Sequence, residues 1–203
     1  MTTRELFMSA VIEPWGKSLE SALRVDGQVV GSVQQVKKSN GEIDLYRIYL
    51  NRPSAVSLSC YLVHTVTSQD ALQAYLDSFQ GMDTVHRLRK SMAFQCADAR
   101  CKEIERELEE RGTSWGATEV TFYGDMVDLG GLMVGAVNHR KGLIELYVHR
   151  VAPNPLGKLT EPVVVKEFFS TLNARASIEA FARMIFSDKK LFRNEIAWAL
   201  TSY

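Results

Sequence analysis

Cys96 and Cys101 form the closest pair of thiols in the chain, and their spacing gives the first candidate for chemistry. Asp98 is suited to cap a helix over residues 99–111, which would place Cys101 in the first helical turn. Backbone N–H groups and the helix dipole favour a thiolate there, so both cysteines are candidate reactive thiols. The favoured alternative is a structural role, because a cysteine outside a disulfide usually behaves as a small buried hydrophobe.

A metal site at these cysteines would need two further ligands, and the histidines do not supply them at a recognisable spacing. His64 lies on the apolar side of an alternating segment, where a core histidine is favoured over a catalytic one. The sequence contains no Gly-x-Ser-x-Gly, phosphate-binding glycine loop or His-Glu-x-x-His motif. We therefore predict no metal and no cofactor, assign no catalytic residue, and favour a binding protein over an enzyme.

Basic side chains are concentrated in three short segments, which makes phosphate binding the second candidate. If these segments were neighbouring strands of one sheet, they would form a positive strip for nucleic acid or an acidic protein. The favoured alternative is that they are edge-strand charges, which discourage aggregation between sheets. The candidate basic patch consists of Arg87, Arg89, Lys90, His139, Arg140, Lys141 and Arg150.

The overall composition gives no support for a strongly charged partner. Lysine plus arginine and aspartate plus glutamate both number 24 in the 203 residues, so any such partner would need a local patch. No segment approaches the roughly 20 apolar residues of a membrane span. The apolar run over residues 6–12 is too short for a signal peptide, and three cysteines without a secretory signal predict reduced thiols. We expect a soluble, cytoplasmic protein that does not bind membranes.

The elements that would position these residues begin with an antiparallel meander. Asp26-Gly27 and Asn40-Gly41 each lie between alternating apolar segments, and both dipeptides tolerate the positive φ angles of a tight hairpin turn. Strands are therefore predicted over residues 21–25, 28–36 and 42–50. Residues 55–66 alternate in the same way and predict a long, half-buried strand.

The middle of the chain alternates between helix and strand patterns. Apolar residues at helical spacing predict two helices, over residues 68–79 and 99–111. Strands are predicted over residues 84–94, 118–123, 132–137 and 143–151. Together these elements predict a mixed central sheet with two packed helices.

The C-terminal quarter is predicted to be helical. Val165, Phe168 and Phe169 suggest a short helix after Pro162, and helices over residues 177–186 and 189–202 follow. The sequence thus predicts an α+β fold with an N-terminal meander, the mixed central sheet and a helical C-terminal tail. An α+β sheet domain would span residues 1–152, and a helical subdomain residues 153–203, possibly packed as one domain. No internal repeat is evident.

Three segments together resemble part of the N-acetyltransferase superfamily. They are Gly131-Leu-Met-Val-Gly135, Leu143-Ile-Glu-Leu-Tyr-Val148 and residues 153–159, and they look like its central strands and the start of its acyl-CoA pyrophosphate loop. In that family the loop presents backbone N–H groups at a helix N-terminus. The resemblance implies an acyl-CoA-dependent N-acyltransferase-like enzyme that would bind its cofactor near Gly157 and Lys158.

The last predicted helix has more apolar surface than one stripe requires. Phe192, Ile196 and Trp198 are spread over more than one face, so a second surface is needed to cover them, and they are the candidate interface. We favour a non-catalytic protein-binding or assembly module, with a protein partner or a homo-oligomer. The alternatives are the N-acyltransferase-like enzyme and a nucleic-acid-binding accessory protein that uses the basic patch.

Overall fold

The computed structural model describes residues 10–14, 20–52, 60–153 and 160–202. The chain divides into two compact units, Met1–Met92 and Ala93–Tyr203. Each unit contains a five-stranded antiparallel sheet together with helices. The predicted α+β class, the N-terminal meander and the helical C-terminal tail are confirmed.

The first sheet is a simple meander in which each strand pairs with the next one along the chain. Asp26 and Gly27 have φ angles of 53° and 75°, which are the positive values that the predicted hairpin turn requires. Gly41, with φ 86°, lies in the second predicted turn. The strands are β1 (Val11–Pro14), β2 (Glu20–Val25), β3 (Gln28–Lys37), β4 (Ile43–Asn51) and β5 (Cys60–Val66).

Two helices follow the first sheet. The helix α1 (Gln69–Asp77) begins at Ser68, whose Oγ accepts a hydrogen bond from the Ala71 N–H at 3.1 Å. The helix α2 (Met82–Glu109) begins where Asp26 Oδ2 accepts a hydrogen bond from the Met82 N–H at 3.0 Å. The helices and the sheet share a core of Ala10, Leu23, Val25, Val30, Val33, Tyr46, Ile48, Leu50, Val66, Leu72, Leu76, Phe79 and Val85.

The prediction of a strand over residues 84–94 is wrong, because the whole segment belongs to α2. The buried positions in this region are Val85, Ala93, Cys96 and Ala97, a spacing that follows the helical repeat rather than every second residue. Since α2 already includes these residues, Asp98 lies inside the helix and is not its N-cap. The division between the two units also falls within α2.

The second sheet is also a meander, and its described strands are all antiparallel where a mixed sheet was predicted. Gly130 and Gly131, both with positive φ, form the turn between its second and third strands. The strands are β6 (Val120–Tyr123), β7 (Met126–Leu129), β8 (Leu132–Arg140), β9 (Leu143–Pro153) and β10 (Thr160–Phe169).

The prediction of a short helix after Pro162 is wrong, because that segment forms β10. Val163 and Val165 are buried, and Phe168 pairs with Ile144 of β9. Three consecutive β-branched valines favour a strand over a helix. Consequently β10 lies in the same sheet as β6–β9. A subdomain boundary between residues 152 and 153, as predicted, would separate β10 from the other strands of its sheet. The linker predicted over residues 152–158 lies mostly outside the described residues.

Two helices complete the second unit, as the sequence predicts. The helices α3 (Ala174–Ser187) and α4 (Lys189–Ser202) are separated by Asp188, whose Oδ1 accepts hydrogen bonds from the backbone N–H groups of Lys190 and Leu191. Trp115 donates from its indole N–H to the Phe186 carbonyl at 2.7 Å, which satisfies a buried polar group. None of the described helices is both long and apolar enough to cross a membrane.

Candidate protein-binding surface

One side of α4 is part of the core of the second unit. Phe192, Ile196 and Leu200 are fully buried and follow one another at intervals of one helical turn. The Phe192 ring lies 5.1 Å from the ring of Trp115 and 5.1 Å from that of Phe186. Two of the three predicted interface residues, Phe192 and Ile196, are therefore core residues that a partner would not reach.

The opposite side of α4 is exposed and mostly uncharged, although half-buried Glu195 lies on it, one turn after Leu191 and one turn before Trp198. Trp198 keeps 59% of its surface exposed and Leu191 keeps 38%. Asn194 and Ser202 are also exposed and, at helical spacing, share the side of the helix that carries Leu191 and Trp198. These four residues, Leu191, Asn194, Trp198 and Ser202, are called here the α4 outer face.

The exposed side of α2 within the second unit has a different character. Lys102, Arg106 and Glu109 are exposed, and Arg106 Nε lies 3.8 Å from Glu110 Oε1. This charge-laced side is the solvated helix face that such a sequence pattern favours. Interface centres are depleted in charged residues and enriched in tryptophan, so of these two helix sides the α4 outer face is the one with the composition of a binding surface.

The first segment of the predicted basic patch is helical and partly structural. Arg89 donates from Nε to the Asn51 carbonyl at 2.8 Å and from Nη2 to the Val30 carbonyl at 3.3 Å. Burial lowers the pKa of Arg89 from its usual value. Because Arg87, Arg89 and Lys90 belong to α2, the assumption that three basic strands adjoin in one sheet is wrong.

The second basic segment lies at the end of β8, and two of its residues face acidic partners. His139 Nε2 lies 3.6 Å from Asp125 Oδ1. Arg140 Nε lies 3.1 Å from Oε2 of Glu145, a buried carboxylate that also accepts a hydrogen bond from the Tyr147 hydroxyl at 2.6 Å. Lys141 is exposed in the turn that follows. Much of the positive charge in this segment is thus offset within the second unit.

Arg150 completes the predicted patch and lies against acidic residues of α2. Its Nη1 is 3.5 Å from Glu107 Oε1 and 3.8 Å from Glu103 Oε1. The other oxygen of the Glu103 carboxylate accepts a hydrogen bond at 2.6 Å from Arg100, whose side chain is almost completely buried. Arg150 also has a φ angle of 58°, which is strained for a residue with a Cβ.

His149 belongs to this polar cluster, which the sequence did not reveal. Its Nε2 and the Nε of Arg100 are buried and have no hydrogen-bond partner among the residues that the structure describes. Burial, together with the nearby charges of Arg100 and Arg150, lowers the pKa of His149 below its usual range. The one sequence feature that could have indicated this cluster is Arg100, a charged residue on the buried side of α2 next to Cys101.

The cysteines are buried in α2 rather than at its start. Cys96 and Cys101 are 4% and 1% exposed, and Cys101 lies more than four turns beyond the beginning of the helix. Burial raises the pKa of the Cys101 thiol to about 11. The helix-terminus argument for a reactive Cys101 is therefore wrong, and its surroundings disfavour a thiolate.

The remaining candidates for ligand chemistry receive no support from the described residues. Within those ranges, no group of three or more histidine, cysteine, aspartate or glutamate side chains could hold a metal ion. Most of the loop that resembles an acyl-CoA site, residues 154–159, lies outside the described part of the chain. The segment after it is β10, so the helix N-terminus that would receive the pyrophosphate is replaced by a strand.

Comparisons with known proteins do not assign the chain to a class. No protein-family model matches it, and comparisons with curated proteins and with solved structures give no significant match. The geometry alone therefore defines the molecule, as an α+β protein of two antiparallel meander units whose last helix carries an exposed tryptophan.

Proposed function

We propose that the chain is a non-catalytic protein-binding module that engages its partner through the α4 outer face. The observation that carries this proposal is the exposure of Trp198, 59%, on a side of α4 whose other exposed residues, Leu191, Asn194 and Ser202, are uncharged. Tryptophan offers more apolar surface than any other side chain and is the residue type most often found at the energetic centre of an interface.

The helix that presents Trp198 is fixed in place. Lys189 Nζ donates to Glu105 Oε1 at 2.6 Å, and Arg193 forms a two-point ion pair with the carboxylate of Asp98. The Arg193 guanidinium also lies 4.8 Å from the centre of the Phe94 ring. Since these contacts and the core hold α4 rigidly, little conformational entropy would be lost when a partner covers Trp198.

Self-association is tested first, by light scattering of the intact chain over a range of concentrations. If the partner is a second copy, Trp198→Glu should weaken the dimer at least roughly 30-fold, the effect of a hot-spot residue worth about 2 kcal/mol. Met133→Glu is the matched control, because Met133 is an apolar β8 residue of similar kind that is 41% exposed. An equal effect of both variants would contradict the α4 outer face as the interface.

A monomeric chain is tested for a different protein partner. A photo-crosslinking residue is placed at position 198 of the intact chain in its native host, and in a control at position 106 on the charged side of α2. The proposal expects a defined crosslinked species from position 198 alone, which Leu191→Glu abolishes. A monomer that gives the same crosslinks from both positions would rule the proposal out.

A further inference from the structure

The two sheets follow the same path through the chain. Each is a five-stranded antiparallel meander whose strands pair in sequence order, and each is followed directly by two helices. A simple meander is a common arrangement, so this likeness alone carries little weight. The evidence for a closer relation comes from the irregular positions that the two sheets share, whereas a bulge after Val36 in the first sheet and one after Glu161 in the second have no counterpart among the described residues.

A glycine occupies the same place in the third strand of each sheet. A Cβ on Gly31 would lie 1.9 Å from the carbonyl oxygen of Tyr49, and a Cβ on Gly135 would lie 2.3 Å from that of Tyr147. Both contacts are far below van der Waals distance, and both involve backbone that does not yield easily. Each glycine pairs with the residue after the tyrosine, Leu50 in β4 or Val148 in β9.

A β-bulge precedes the glycine in both sheets. Between β2 and β3, Leu23 pairs with Gly31 and Arg24 pairs with Val29, so that Val30 is the extra residue. Between β7 and β8, Val127 pairs with Gly135 and Asp128 pairs with Met133. The extra residue there is Val134, which is again the valine immediately before the glycine.

A second bulge recurs on the other side of the tyrosine. Tyr49 pairs with Leu62 and Ile48 pairs with His64, which leaves Val63 of β5 as the extra residue. In the second sheet, Tyr147 pairs with Val164 and Leu146 pairs with Lys166. Val165 of β10 is the extra residue, so a valine is inserted at the same step of both final strands.

The hydrogen bonds of the two tyrosine hydroxyls differ. The Tyr49 hydroxyl donates to Gln34 Oε1 at 3.3 Å, whereas the Tyr147 hydroxyl donates to Glu145 Oε2 at 2.6 Å. Gln34 and Asn138 each lie three residues after the glycine of their strand, and each is an amide.

We infer that the chain consists of two copies of one structural module, a five-stranded meander followed by two helices, and that α2 supplies the last helix of the first copy. Bulges are retained within protein families because they set the twist and register of a sheet. Two bulges with valine as the extra residue, and a sterically required glycine against a tyrosine carbonyl, in the same order, are therefore expected of copies and not of unrelated meanders.

The inference is tested by exchanging hairpins within the full chain. Residues 31–50 are replaced by residues 135–148, which start at the equivalent glycine and end at its pairing partner. An out-of-phase control places the same insert over residues 32–51, which turns every transplanted side chain to the opposite face of the sheet. The reciprocal pair replaces residues 135–148, or 136–149, by residues 31–50.

Circular dichroism and urea unfolding report the outcome. We expect at least one in-phase chain to unfold cooperatively, with a midpoint within about 1 M urea of the parent. Both out-of-phase controls should lose the cooperative transition of the unit that received the insert. If neither in-phase chain is more stable than its own control, the two hairpins are not interchangeable and the inference is overturned.

Discussion

The two units share two β-bulges and a constrained glycine but differ in the side chains that they expose. When the sequences of α2 and α4 are aligned at their first residues, Val85 and Phe192 fall at the same position, and each is the first buried residue of its helix. In this alignment Ser91 is at the position of Trp198. In the sheets, Gln34 pairs with Arg47, whereas Asn138 pairs with Glu145. Positions that satisfy backbone geometry are alike in the two units, while surface positions differ, so Trp198, the proposed docking residue, has no counterpart of its kind at the equivalent position in the first unit.

The largest change in stability is expected at the core position that Val85 of α2 shares with Phe192 of α4. Phe192→Ala should lower the free energy of unfolding by about 3–5 kcal/mol, because it removes a fully buried aromatic ring. Val85→Ala should have the same sign but a smaller size, about 2 kcal/mol, since fewer buried methyl groups are lost. Chemical denaturation measures both, and a Val85→Ala variant as stable as the parent would break the equivalence.

The paired glycines give the next largest effect. Gly31→Ala and Gly135→Ala should each cost about 3 kcal/mol, because a Cβ at either position meets a backbone carbonyl oxygen and forces the strands apart. Gly116→Ala is the control, since a Cβ there meets no atom within 4 Å. Thermal unfolding in which Gly135→Ala behaves like Gly116→Ala would show that the close approach is not maintained in solution.

A smaller effect is expected at Arg150, whose φ angle of 58° is better suited to glycine. Both Arg150→Gly and Arg150→Ala remove the ion pairs to Glu103 and Glu107, but only glycine relieves the backbone strain. Arg150→Gly should therefore be more stable than Arg150→Ala by about 1 kcal/mol. Equal midpoints in urea would contradict a left-handed backbone at this residue.

The pH dependence should distinguish the two units most subtly. The pKa of His149 is lowered in the folded state, so the fold favours the neutral imidazole. This contribution is complete above the unfolded pKa of about 6.5, and it is lost as the pH falls below that value towards the folded pKa. Asn51 occupies the equivalent place in the first unit, so the effect should be confined to the second.

The measurement is the unfolding free energy as a function of pH, for the parent and for His149→Gln. The slope between about pH 6.5 and the folded pKa should be reduced in the variant. His86→Gln, which removes an exposed histidine of the first unit, is the control. If His86→Gln changed the slope and His149→Gln did not, the pH dependence would belong to the first unit, and the prediction would be contradicted.

Local signals predicted the parts of the fold that depend on local chemistry. The Asp26-Gly27 turn was predictable because this dipeptide tolerates positive φ angles, which the structure shows. The C-terminal helices were predictable because their apolar residues recur at the helical period. The sequence of residues 84–94 predicts a strand whose polar content would suit an edge or an exposed face, and only packing of the buried side shows that they form a helix. In β10, Val165, Phe168 and Phe169 have helical spacing by coincidence, and strand pairing overrides it.

The candidate site was predicted only in part, for a related reason. An excess of apolar residues indicated that α4 needs a second surface, but it did not show which residues face the core. Burial assigns Phe192 and Ile196 to the interior and leaves Trp198 outside. The duplication was invisible in the sequence because the clearest identities are isolated valines, glycines and tyrosines at positions of backbone constraint.

The continuity of α2 also has a consequence for how the chain folds as it is synthesised. The residues up to Met92 complete the first unit, so this unit is ready to fold before most of the second has been made. The rest of the same helix carries Cys101, Ile104 and Leu108, which are buried in the finished protein. Until β6–β10 follow, that apolar stripe has no sheet of its own unit to cover it, and a released chain that ends just after Glu109 would expose it to solvent and to chaperones.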